Sequence, residues 1–122
     1  MIKLSIIMPA YNEENTIIKI LEKVKNIEIE GIIKEVIVID DCSKDKTLTL
    51  LRKNRNLYDL LIKLPKNTGK GNAVKEGLIK ASGEYILFQD ADLEYDPKDY
   101  VKILEPVLRF NADLVIGSRL IA

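Results

Sequence analysis

The stretch Glu35-Val36-Ile37-Val38-Ile39-Asp40-Asp41 is apolar and β-branched at four successive positions and then turns acidic. Successive side chains of a strand point to opposite faces, so a run without alternation is buried on both. Strands of that kind belong to parallel sheets covered on each side. Working outward, Leu4 to Met8 is a short apolar run ended by Pro9, and Leu60 to Leu64 is another, stopped by Pro65. Glu84 to Gln89 and Leu114 to Ile116 complete the set of strands. Helical spacing fills the intervals. Glu13 to Ile27 places Ile17, Ile18, Leu21, Val24 and Lys25 at that spacing, with Asn12 as cap and Glu13 and Glu14 at the positive end. Lys44 to Arg55 and Gly71 to Ala81 read as further helices, and Asp96-Pro97 opens a fourth. Alternating strands and helices predict an α/β fold with a mainly parallel sheet and helices on both faces.

Composition narrows the function classes. The 122 residues make a single domain with 47% hydrophobic and 31% charged residues, as in globular proteins. Nineteen basic residues balance nineteen acidic ones, so no net field draws the chain to nucleic acid or to an anionic membrane. No apolar run approaches the length of a transmembrane span, and the N-terminus lacks a signal-peptide pattern. The lone Cys42 rules out an internal disulfide and suits a cytoplasmic setting. There is no histidine, which removes Ser-His-Asp and Cys-His catalysis and the usual zinc sites. Any metal chemistry must use oxygen ligands.

Polar clusters follow the first, second and fourth strands, at the carboxyl ends where open α/β sheets bind ligands. Asp90-Ala91-Asp92 puts two carboxylates side by side at a strand end. Their repulsion calls for a counter-charge, and a hard Mg²⁺ or Mn²⁺ ion bound through oxygen supplies it. A solvated acidic turn is the alternative. Glu94 is a third oxygen ligand or an exposed acid near a helix start. Asp40 suits the donors of a base edge or a ribose, or else a capping turn, the role assigned to Asp45. Lys66-Asn67-Thr68-Gly69-Lys70-Gly71-Asn72 is a basic, glycine-flanked loop that opens a helix. It can lay backbone N–H groups and Lys70 against a diphosphate, or it is a flexible turn. It matches neither the P-loop nor the dinucleotide fingerprint. Tyr11 can stack on a base or pack within its loop. Arg119 can clamp a phosphate or stand as a surface arginine.

Together these stretches resemble the family-2 glycosyltransferases with a GT-A fold. The matching blocks are Pro9-Ala10-Tyr11-Asn12-Glu13-Glu14, Val38-Ile39-Asp40-Asp41-Cys42-Ser43-Lys44-Asp45-Lys46-Thr47, Asn67-Thr68-Gly69-Lys70-Gly71, Asp90-Ala91-Asp92-Leu93 and Gly117-Ser118-Arg119. Within the family they are most similar to the polyprenyl-phosphate (dolichyl-phosphate) sugar synthases.

The resemblance implies a nucleotide site lined by Pro9, Tyr11 and Glu13, with Val38 and Asp40 at the base. It implies Asp90 and Asp92 on the metal, Ala91 against the ribose, Glu94 reaching the metal, and Arg119 near the donor phosphates or the sugar. The implied reaction is metal-dependent, inverting transfer of a sugar from a UDP- or GDP-linked donor, with a polyprenyl phosphate as acceptor. A setting at the cytoplasmic membrane face goes with that acceptor. A phosphate monoester with a second pKa of about 6 is already largely ionised at neutral pH, so this acceptor needs no general base.

Two departures stand out: Cys42 replaces the usual Gly of Asp-Asp-Gly-Ser, and the chain stops at Ala122, before an acceptor-binding half. Leu120 and Ile121 are therefore expected to leave an apolar patch for a second copy or a partner chain. One alternative is a non-catalytic nucleotide-sugar-binding fragment, or one half of a split transferase. Another is a nucleotidyltransferase, which would want a glycine-rich basic loop after the first strand, where Pro9 to Glu14 is neither.

Overall fold

In a computed structural model of the chain, residues 1–91 and Pro97 are described. β1 (Ile2–Ala10), α1 (Ile17–Asn26), β2 (Ile32–Asp40), α2 (Thr47–Lys53), β3 (Leu60–Lys63), α3 (Lys70–Lys80) and β4 (Tyr85–Phe88) follow in order, with a 3-10 turn at Arg55–Leu57. The sheet runs β3-β2-β1-β4, and every neighbouring pair is parallel. The expected fourth helix from Asp96 and the strand at Leu114 to Ile116 lie outside the described residues.

The unalternated apolar runs do what they predict. Leu4, Ile6 and Met8 of β1 and Val36 and Val38 of β2 face one side, against Ile17, Ile20, Leu21 and Val24 of α1 and Leu51 of α2. Ile7, Ile37 and Ile39 face the other side, against Ala73 of α3. Each such buried side chain contributes roughly 1.5–3 kcal/mol by leaving water. α3 lies very close to the sheet. A Cβ added at Gly77 would sit 2.7 Å from Ile39 Cδ1 and 2.8 Å from Ile7 Cγ2.

β1 continues through Pro9 to Ala10 instead of ending at Met8. The residues of a parallel strand turn their N–H and C=O alternately to the two neighbours. Ile7 C=O accepts from Gln89 N–H, so Pro9 also turns toward β4, which has already ended opposite Ile7. The missing N–H of Pro9 therefore breaks no ladder bond.

α1 begins at Ile17, not at Glu13, and Asn12 does not cap it. The Glu13 and Glu14 N–H groups point out of the helix, to Thr47 Oγ1 (2.9 Å) and Asp45 Oδ2 (3.1 Å). Asn12 is left-handed (φ 53°) and its Oδ1 accepts from Lys44 N–H at 2.8 Å. The buried stripe is Ile17, Ile20, Leu21 and Val24, while Ile18 is half-buried and Lys25 exposed. At the far end of α1, Lys34 Nζ donates to the carbonyls of Val24 (2.6 Å), Lys25 (3.0 Å) and Ile27. Burial lowers the Lys34 pKa, and Glu28 opposes that only in part.

Candidate functional site

β2 and β3 lie on one side of β1 and β4 on the other. The strand order therefore reverses between β1 and β4, the place where doubly wound sheets leave a crevice at the carboxyl ends. An open cleft of about 410 Å³ sits there. β1 and its loop contribute Pro9, Ala10, Tyr11 and Glu13, and the end of β2 contributes Asp41. The start of α3 and the loop before it contribute Asn67, Gly69, Lys70 and Ala73, and the segment after β4 contributes Asp90 and Ala91.

The loops around the cleft are tied to one another by side chains. Asn12 N–H donates to Ser43 Oγ at 2.9 Å, which with the Asn12–Lys44, Glu13–Thr47 and Glu14–Asp45 bonds joins the first loop to the second. Asp45, expected to cap the second helix, closes the turn just before it: the cap position is Lys46, with no side-chain bond, and Asp45 accepts from Thr47 N–H (2.9 Å) and Thr47 Oγ1 (2.6 Å). Burial pushes the Asp45 pKa up, but the Thr47 and Glu14 donors outweigh it and hold the carboxyl below its ordinary value. Thr16 Oγ1 donates to Ala91 C=O at 2.7 Å, fastening the segment after β4 to the start of α1.

Asp41 fastens the third loop. Its Oδ1 accepts from Thr68 N–H (2.9 Å) and Thr68 Oγ1 (3.1 Å), and its Oδ2 accepts from Gly69 N–H (2.9 Å). The Thr68 and Gly69 amides are thus turned to Asp41, not laid out for a diphosphate as the loop sequence alone suggests. Beside Asn67 and Gly69, the charged group that lines the cleft here is Lys70, whose Nζ contacts Asp90 Oδ1.

Six of the expected donor-site residues meet in this cleft: Pro9, Tyr11, Glu13, Lys70, Asp90 and Ala91. Tyr11 is 38% exposed, so its ring is open to a planar ligand. Val38 and Asp40 do not reach the cleft. Both have no exposed surface, because even-numbered positions of β2 face the α1 and α2 layer. The two Asp40 carboxylate oxygens lie 3.4 Å from Ser43 N–H, beneath the cleft wall. Asp92, Glu94 and Arg119, together with Leu120 and Ile121, lie outside the described residues. Among the described residues no group of three or more Asp, Glu, Cys or His side chains is placed to hold a metal ion.

Asp41 and Asn67 stand within the matching blocks of the sequence but carry no role there, and Thr16 gives no sequence signal. Alternation along β2 puts Asp41 opposite Asp40, on the face of α3, but only the topology says that α3 lies there. Cys42, in the position where glycine is usual, keeps the backbone that glycine favours: its φ is 60°.

The family model described as Glycosyl transferase family 2 matches residues 5–122. The dolichol-phosphate mannosyltransferase of Pyrococcus furiosus is 32% identical over 118 residues, covering 96% of this chain and 33% of that protein. Staphylococcus aureus TarS 1–349, solved in complex with UDP-GlcNAc, superposes with a TM-score of 0.69 at 35% identity, over 84% of this chain and 31% of that one. A mannosyltransferase from Pyrobaculum calidifontis, in complex with GDP-Man and Mn²⁺, superposes with a TM-score of 0.71 at 25% identity, over 85% of this chain and 32% of that one. The chain spans about a third of the length of each of these three proteins. The architecture is the α/β sheet of the GT-A glycosyltransferases, and with the family match running through nearly all of its residues, the chain belongs to glycosyl transferase family 2.

Proposed function

We propose that the cleft between β1 and β4 binds a nucleoside-diphosphate sugar, UDP- or GDP-linked, and that the chain serves metal-dependent, inverting transfer of the sugar to a lipid phosphate of the polyprenyl type. The observation that carries the reading is the meeting of Pro9, Tyr11, Glu13, Lys70, Asp90 and Ala91 at the point where the strand order reverses. The ligands of the solved neighbours, UDP-GlcNAc in one and GDP-Man with Mn²⁺ in another, support the donor class. The name of the Pyrococcus relative supports a lipid-phosphate acceptor. Residues 1–122 act in this reading as one donor-binding domain, and the acceptor half is supplied from outside them. A membrane surface is the setting that such an acceptor requires, and this reading places the chain at its cytoplasmic face. Among the described residues no helix is long and apolar enough to cross a membrane.

The donor set fits a hard divalent ion. Asp90 offers oxygen, Asp92 and Glu94 add more by their position in the sequence, and the Lys70 ammonium against Asp90 marks a place that favours positive charge. Asp90, Asp92 and Glu94 would hold Mg²⁺ or Mn²⁺, which when bound would supply Lewis-acid neutralisation of the departing diphosphate, a contribution of several kcal/mol. The protein's own groups do the rest. The Tyr11 ring stacks on the base, Pro9 and Glu13 border it, and Ala91 leaves room for the ribose. Lys70 places a positive charge beside the diphosphate, and Arg119 adds a second one. Catalysis is then positioning and electrostatics, with no general base needed for a phosphate acceptor.

Calorimetric titration with UDP and GDP, with and without Mn²⁺, tests this on wild type and Asp92→Ala. Metal-dependent binding of one of the two nucleotides, lost in Asp92→Ala, is expected. Binding that needs no metal and survives the substitution would remove the metal from the reading.

A further inference from the structure

We infer that Thr16 is a positioning residue for the carboxylate-bearing segment of the donor site: its hydroxyl holds the Ala91 carbonyl and so fixes where Asp90 stands in the cleft. The inference rests on the reading that the cleft takes a nucleoside diphosphate with a divalent ion. Thr16 itself touches neither in this scheme.

The start of α1 gives Thr16 a fixed place. Its N–H and that of Ile17 both donate to Glu13 C=O, at 3.1 and 2.9 Å, and its own carbonyl accepts from Ile20 N–H at 3.0 Å. Ile17, the next residue, is fully buried in the core on that side of the sheet. Thr16 stands at the N-cap, where a threonine hydroxyl ordinarily accepts from an amide of the first turn. It makes no such bond. The hydroxyl instead donates to Ala91 C=O at 2.7 Å, 75 positions further along the chain, so the cap's stabilisation is forgone for a tertiary contact. A hydroxyl has one proton to give. Its other acceptor, Glu13 Oε2, stands at 3.2 Å, and the carbonyl is the nearer of the two.

What Thr16 holds is the span that leaves the sheet for the cleft. β4 ends at Phe88, and Gln89 N–H still donates to Ile7 C=O at 3.0 Å. Beyond that bond, side chains take over the backbone. Gln89, 2% exposed, donates through Nε2 to Asp90 C=O at 3.0 Å, and Thr16 takes the carbonyl of Ala91. Alternation along the span then leaves the Asp90 carboxylate facing the cleft, between a buried Gln89 and a buried Ala91. Ala91 belongs to the same buried cluster as Ile17 and Ile20 of α1. A peptide unit is planar, so a bond to the Ala91 oxygen orients the whole unit that leads on to Asp92 in the sequence. With its methyl in the core and its carbonyl bonded, Ala91 keeps one orientation, and the Asp90 side chain before it keeps one direction. That matters for a hard cation, because Mg²⁺ demands near-ideal octahedral geometry and a carboxylate ligand must be held still to meet it.

Thr16→Val keeps the shape and removes the donor, whereas Thr16→Ser keeps the donor. Binding of UDP, or of GDP, is measured by calorimetry across a series of Mn²⁺ concentrations in wild type and both variants. In Thr16→Val the Mn²⁺ concentration for half-maximal binding is expected to rise by about five- to tenfold, the weight of one hydrogen bond. Thr16→Ser should stay within about twofold of wild type, since its hydroxyl restores that bond. Glu35→Gln, at a carboxylate bonded to Ser5 and Ser82 at the amino end of the sheet, controls for general loss of stability and should leave the Mn²⁺ requirement where it is. An unchanged requirement in Thr16→Val, no rescue by serine, or an equal shift in Glu35→Gln would overturn the inference. If Thr16→Val does not fold, Thr16→Ala, whose smaller side chain lets water reach the carbonyl, should show the same shift at smaller size, and no shift overturns the inference. Wild type that binds neither nucleotide, or binds without need of Mn²⁺, refutes the donor reading instead. Amide exchange then judges the anchor separately: Thr16→Val, or Thr16→Ala in its place, must speed exchange at Gln89 while leaving Ile20 unchanged, and unaltered exchange at Gln89 overturns it.

Discussion

At the scale of single residues, the chain spends its unusual conformations where loops meet the cleft. Asn12 and Cys42 are its described non-glycine residues with positive φ, and each follows the end of a strand. Asparagine tolerates that region, whereas a residue with an ordinary Cβ pays about 1–2 kcal/mol for it. Cys42 is half-buried, and its thiol donates only a long, weak hydrogen bond to Pro65 C=O at 3.7 Å. Cys42→Gly should therefore be neutral or slightly stabilising. Cys42→Val, β-branched in the same conformation, should fall below the glycine variant by about 1–2 kcal/mol in urea denaturation. Equal midpoints for the two variants would mean that the turn at 42 relaxes freely.

At the scale of elements, α3 does two jobs with a weak sequence signal. It carries only Ala73 and Gly77 as buried residues, and Leu78 and Ile79 are exposed. Its fit depends on closeness, since no large apolar side chain of the helix is buried against the sheet. Gly77→Ala should destabilise the fold by about 1–3 kcal/mol, the usual cost of forcing atoms into a filled space. That loss outweighs the fraction of a kcal/mol to about 1 kcal/mol by which alanine favours a helix over glycine. A rise in stability on Gly77→Ala, measured by thermal or urea unfolding, would show that α3 can lift from Ile7 and Ile39. α1 shows the converse case. Its periodicity announces the helix, yet the helix starts four residues late because the loop amides find better acceptors in Asp45 and Thr47.

At the scale of the whole molecule, the two ends of the sheet are built differently. The carboxyl end opens into the cleft, while the amino end is closed by Glu35. Glu35 accepts from Ser5 Oγ (2.7 Å), Ser82 N–H (3.0 Å) and Ser82 Oγ (2.8 Å), and pairs with Lys3 Nζ at 3.3 Å. These contacts tie β1, β2 and the turn before β4 together. Burial alone would raise the Glu35 pKa, but the Ser82, Ser5 and Lys3 donors outweigh it and lower it from 4.5 to about 2. The unfolded chain takes up this proton near the ordinary value and the folded one only much lower. The Glu35 contribution to stability is therefore complete above about pH 4.5 and is lost as pH falls toward 2. Glu35→Gln should flatten the fall in urea midpoint across that window. Parallel curves for wild type and variant would assign the acid sensitivity to other carboxylates.

By itself the sequence determined the layer order. Val36 to Ile39 announced a strand buried on both faces, the helical stripes announced its covers, and the acidic strand ends announced the side on which the cleft opens. These features are local, because alternation, apolar periodicity and strand termination depend on neighbours along the chain. The tertiary structure alone decided which of the polar residues share a space. Asp40 and Asp41 are adjacent in sequence, yet one lies beneath the cleft wall and the other grips the loop before α3, since consecutive strand positions face opposite layers and only the topology assigns a helix to each. Lys70 meets Asp90 for the same reason. The crossover through α3 brings β4 beside β1, and with that placement residues twenty apart in sequence come into contact across one cleft.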